Sequence, residues 1–162
     1  MEHTGAPSSV GRDAWERTLD EMEQFAEEHE ADGWKTITIP GGVASPKRPG
    51  TGESDRFGFI HVIPGNYADE FDERFGDCSF DAYDVFRREI EGEVYFVTVL
   101  YDTDARAAVF VAAAYETPVG ERLRPVAEHE GVLFTHMQRL DGTHVCSVEH
   151  EDFEKFFAPD GD

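Results

Sequence analysis

The run Glu93 to Tyr115, EVYFVTVLYDTDARAAVFVAAAY, constrains the fold more than any other part of the chain. Two segments rich in β-branched, aromatic and small apolar residues flank an Asp-Thr-Asp turn, and neither alternates cleanly between apolar and polar. Strands that are apolar on both faces must be covered on both faces, so these two lie in the interior of a sheet. Ala107, Ala108, Ala112, Ala113 and Ala114 leave one of them shallow, and a helix can lie close against such a surface. That role falls to the first helix.

Between Asp13 and Asp32, the positions Trp15, Leu19, Met22, Phe25, Ala26 and His29 fall at spacings of three and four, which marks one stripe of an amphipathic helix. Gly33 ends it. Its other face is nearly all acid and reads as solvated surface. Trp34 to Ile39 is a short strand, and Phe57 to Ile63 (FGFIHVI) is a second, apolar on both faces. Asn66 reads as the N-cap of a helix whose buried stripe holds Phe71 and Phe75 and which ends near Gly76. Phe80 to Ile90 turns at Glu91-Gly92 into the central strands. Thr117-Pro118 opens a short helix that stops before Gly131. Val132 to Arg139 and Thr143 to Val148 flank the Asp141-Gly142 pair, a strong hairpin signal, and a closing helix spans Glu151 to Phe157.

The order αββαβββαββα predicts a single α+β domain, a largely antiparallel sheet of five to seven strands with helices packed on it. Residues 1–10 and 159–162 read as tails around a domain over 11–158. At 162 residues the chain can bury one core, and its 13 Phe, 5 Tyr and 2 Trp supply the apolar surface that folding needs.

Acidic residues number 35 against 14 basic ones, for a formal charge of -21, and only Lys35, Lys47 and Lys155 are lysines. In this composition the chain resembles acidic haloarchaeal proteins of uncharacterised families. The resemblance covers the whole chain and brings no active-site motif. It implies a cytoplasmic protein adapted to molar salt, where the Debye length is about 3 Å. No apolar run of about 18 residues and no signal-peptide pattern occurs, so no membrane span is expected. Nucleic-acid binding needs a basic stripe to engage phosphates, and none exists outside Gly41 to Arg56. Cys78 and Cys146 read as small core residues, not as a disulfide.

The segment Gly41 to Arg56, GGVASPKRPGTGESDR, carries Lys47, Arg48 and Arg56 against Glu53 and Asp55. Its Gly50-Thr51-Gly52 lacks the third glycine and the helix start of a dinucleotide loop, and the Lys-Ser or Lys-Thr end of a phosphate loop. Such a length without element signals predicts a flexible basic loop, either a bare excursion or a surface that docks a protein partner or contacts an anion. His61 shares a strand face with Phe57, Phe59 and Ile63, so it is expected to be buried, to need a partner and to have a movable pKa. With the helix N-terminal N–H groups around Pro64 to Asn66, it makes a second candidate ligand site that includes Asn66.

In the last hairpin a two-residue turn pairs Leu140 with Thr143, Arg139 with His144, Met137 with Cys146 and Leu133 with His150. His144, Cys146 and His150 then share a face. His150 would lie about 20 Å from His144, too far for one ion; no metal is expected, nor any cofactor. His136 falls on the other face beside Gln138 and Ser147. Asp102 and Asp104 read as turn residues, not calcium ligands. These readings favour a non-catalytic interaction or regulatory module whose protein partner docks on the 41–56 loop. The alternative is a small-molecule or anion-binding protein, or a small enzyme, with its pocket near His61 and the Pro64 to Asn66 turn.

Overall fold

The computed structural model describes residues 9–47 and 58–157. Helix α1 (Ser9–Ala31) leads into β1 (Lys35–Lys47), β2 (Gly58–Val62) and α2 (Gly65–Phe75). A meander follows, β3 (Ala82–Ile90), β4 (Glu93–Asp102) and β5 (Ala107–Glu116). Then come α3 (Thr117–Glu121), α4 (Leu123–Glu130), the hairpin β6 (Leu133–Gln138) and β7 (His144–His150), and a 3-10 turn over Phe153–Phe156. The strands form one seven-stranded sheet in the order β3-β4-β5-β1-β2-β6-β7. It is largely antiparallel, as expected, but β1 runs parallel to β5 and β2 parallel to β6.

Gly41 to Lys47 is not loop: β1 runs on through it. Lys35 to Val43 pairs with Ala107 to Ala114 of β5, and Ala44 to Lys47 then pairs with His61 to Gly58 of β2. Pro40, Gly41 and Gly42 look like breakers in sequence, yet they form a bulge, with the register shifting between Pro40 and Gly42. A bulge inserts an extra residue and bends the strand. A Cβ on Gly41 would meet the Ala112 carbonyl at 2.9 Å and Val111 Cγ1 at 3.1 Å, so glycine suits the bend. β1 is thus shared between two halves of the sheet that curl around a common interior.

Two helices also depart from expectation. The helix after Thr117 breaks at Arg122, because the Pro125 ring cannot follow the carbonyl four residues back in a continuous helix. Pro125 instead sits in the first turn of α4, where an N–H has no intrahelical partner to lose. The closing helix is only the 3-10 turn, although its Phe153, Phe156 and Phe157 do reach the core.

Inside the curl, Phe59, Phe96, Tyr115, Leu133 and Phe156 pack together, and Phe71 and Phe75 of α2 join Ile37, Ile63 and Met137 at the other end. On the outside of the first half, Met22 and Ala26 of α1 rest on Val97, Val99, Ala108, Phe110 and Ala112. The small side chains of β5 set that close approach, as the sequence suggested.

Candidate functional site

Curling brings the two end strands of the sheet toward each other. Among the described residues β3 and β7 each pair on one side only. Tyr83 reaches across: its hydroxyl donates to the Asp152 carbonyl, and its ring centroid lies 4.0 Å from that of His150. Lys155 Nζ donates to the Tyr83 carbonyl at 3.0 Å and lies 4.5 Å from the same ring. Two clefts flank this seam. One, of about 320 Å³, lies between residues 80–83 and 148–152. The other, of about 420 Å³, lies between residues 78–80 and 145–149 and is floored by Phe71 and Phe75. Phe80, Val148 and Glu149 line both, so the clefts make one groove along the outer edge of β7.

The groove has a single sign of charge. Asp72, Asp81, Glu149, Glu151 and Asp152 line it, with no lysine or arginine among its described lining residues. Three of these acids are occupied. Arg139 lies 3.4 Å from Asp72 and Lys155 3.9 Å from Asp152. Asp81 accepts the Thr103 N–H at 2.9 Å and the Thr103 hydroxyl, bonds that hold its carboxyl below the usual range. Glu149 and Glu151 are exposed and make no ion pair among the described residues.

Alternation along β7 separates the groove's two sides. Cys146, Val148 and His150 sit opposite Met137, Thr135 and Leu133 on the inner face, while Ser147 and Glu149 face out. His150 is almost wholly enclosed, its Nε2 lies 2.7 Å from Thr135 Oγ1, and its Nδ1 has no partner among the described residues. Burial lowers its pKa to about 3, which keeps it neutral. The Cys146 thiol is pushed up to about 11 by burial and by the neighbouring Cys78, and Cys78 is itself raised by burial and by Asp102. Both cysteines line the groove as protonated thiols.

The sequence-derived sites fall elsewhere. His61 is fully enclosed, 6.0 Å between centroids from Phe96, and both ring nitrogens lack a partner among the described residues. Burial first, and the nearby His136 second, lower its pKa to about 4. Asn66 is exposed and does not cap α2: Pro64 is the N-cap, and its carbonyl accepts the Ala68 N–H at 3.0 Å. The helix begins at Gly65, before Asn66, because the extended Pro64 already supplies the cap carbonyl. His61 and Asn66 therefore lie in different surroundings, one in the interior and one in solvent. Lys47 ends β1 opposite Gly58, while Arg48 and Arg56 lie outside the described residues.

The hairpin register holds from Leu133–His150 to Met137–Cys146, but Gln138, not Arg139, pairs with His144. Val145 is bulged, and the turn closes through bonds from Gly142 N–H to the Arg139 carbonyl and from Arg139 N–H to the Thr143 carbonyl. The bulge turns His144 away from Cys146 and His150 to the outer face. There Ser147 Oγ lies 2.7 Å from His136 Nδ1 and 2.8 Å from His144 Nε2. A hydroxyl with one proton donates to one imidazole and accepts from the other, which pins the bulge. Among the described residues no group of three or more His, Cys, Asp or Glu stands close enough to hold a metal ion. No described helix is long and apolar enough to cross a membrane.

Sequence reasoning missed the groove because its walls come from segments nearly seventy positions apart. One local signal was present: β7, the last strand, has neither proline nor lysine to blunt an edge.

The fold defines a single-domain α+β protein with a curled mixed sheet, an edge groove and an enclosed histidine. Residues 1–158 match a family of unknown function, DUF7529, and the chain belongs to that family. No curated protein and no solved structure matches it.

Proposed function

We propose that this protein is a non-catalytic interaction module that holds an extended ligand in the groove between β3 and β7. The observation that carries this reading is the outer edge of β7, which among the described residues runs unpaired beside a groove floored by Phe71, Phe75, Phe80, Cys146 and Val148. Edge N–H and C=O groups offer themselves to a further strand, and pockets beside them select its side chains. The interaction role is the one expected from the sequence; the docking surface proposed for it is the sheet edge in place of the 41–56 segment, of which residues 48–56 lie outside the described ones.

Ser79 is exposed on the groove's rim, and Ser79→Trp would fill the cleft from outside the core. The variant should keep the wild-type circular dichroism and lose the material that wild type retains from cell extract in molar potassium chloride. Retention of the same material by both proteins would overturn the groove as the docking site.

A second reading rests on Ser147. Its hydroxyl has an imidazole within reach on either side, the arrangement a nucleophilic serine needs, and Ser147 lines the larger cleft. On that reading a fluorophosphonate probe labels wild type and not Ser147→Ala. Absence of labelling favours the interaction module.

A further inference from the structure

We infer that the occupant of the β7 edge is an extended cationic segment in which basic and apolar residues alternate. This inference rests on the groove reading above and adds the chemistry of the partner. It follows from how the two faces of β7 differ. A strand added to an edge places its side chains alternately on the two faces of the sheet, beside those of its neighbour. On the inner side its residues would meet Cys146, Val148 and Phe80, an apolar lining, and His150, whose enclosed Nδ1 has no partner among the described residues. On the outer side they would meet Glu149, and just past the strand's end the exposed Glu151, in the bend that follows His150. Among the described residues those two are the groove's acids with neither an ion pair nor a side-chain hydrogen bond. Arg139, Lys155 and Thr103 already engage Asp72, Asp152 and Asp81. A partner with basic residues on one face and apolar residues on the other meets both linings at once. An acidic partner would place like charge against both glutamates, beside two cations, Arg139 and Lys155, that Asp72 and Asp152 already engage.

The charge of the whole molecule attracts any cation, so the test must separate location from attraction. Four acetylated, amidated octapeptides serve as probes: alternating arginine and valine, alternating threonine and valine, alternating glutamate and valine, and the first with every second amide methylated. Each is titrated into the full chain at about 0.15 M salt, with residue-resolved amide shifts as the readout. The arginine–valine peptide should shift the amides of residues 144–151 and 78–83. The threonine–valine peptide should bind there at least tenfold more weakly, and the methylated and acidic peptides should not bind there. Glu149→Gln combined with Glu151→Gln should bring the arginine–valine peptide down to the threonine–valine level. Equal binding of arginine–valine and threonine–valine peptides would overturn the cationic partner and leave the groove standing. Arginine–valine shifts confined to the acidic face of α1 would overturn it as well. No shift at 144–151 with any peptide would overturn the groove reading itself.

Discussion

His61 is a polar residue placed where an apolar one would pack. It is fully enclosed, and its nitrogens find no partner among the described residues, so only the neutral ring fits. The unfolded chain titrates near 6.5 and the folded one near 4. As pH falls below 6.5 the unfolded state takes up a proton that the native state refuses, and His61's share of stability is lost between pH 6.5 and 4. At pH 5 that share is about 2 kcal/mol; the lowered pKa of His150 acts in the same direction. His61→Leu should therefore be at least as stable as wild type at pH 7, since it removes an unsatisfied polar group. It should also lose about 2 kcal/mol less than wild type between pH 7 and 5 in guanidinium titrations. An unchanged pH slope would mean that other groups set the acid sensitivity. On the outer face, Ser147→Ala removes one hydrogen bond to the buried His136 and one to the exposed His144 and should cost about 1 kcal/mol, read in the same titrations.

At the scale of elements, α1 lies on β5 because Ala108 and Ala112 present almost no side chain. Ala112→Leu should overpack that contact and cost about 1–3 kcal/mol in chemical denaturation. A neutral substitution would mean that α1 can ride outward freely. These features were legible in sequence because they are local: the stripe from Trp15 to His29, the two-faced strands Glu93 to Tyr115, and the Asp141-Gly142 turn all state their structure within one window. The continuation of β1 past Pro40 was not legible, since two glycines and a proline spell a break unless a neighbouring strand absorbs the bulge. The parallel junctions β1–β5 and β2–β6 were hidden for the same reason: nothing in either strand records which distant strand lies beside it. The bulge at Val145 reversed the face of His144 alone, and no periodicity announces a single extra residue. The groove depends on all of these together, which is why His61 and Asn66 drew attention and Glu149 and Glu151 did not.

At the scale of the molecule, a charge of -21 on 162 residues makes self-repulsion a general cost of folding. Screening relieves it, as the Debye length falls from about 10 Å at 0.1 M salt to about 3 Å at 1 M. The Tm should rise steadily over that range in potassium chloride, and a flat or falling Tm would contradict a fold limited by its surface charge. On the proposal above, the same acidity favours a cation at a sheet edge that is unpaired among the described residues. That open edge is the centre of the account, and residue-resolved amide exchange of the free protein tests it most directly. Along β7, amides that point to β6 are bonded, while the alternate ones point into the groove. Exchange should alternate between slow and fast from His144 to His150. Uniform protection along the strand would mean that the edge is already covered, and would contradict a groove waiting for a partner.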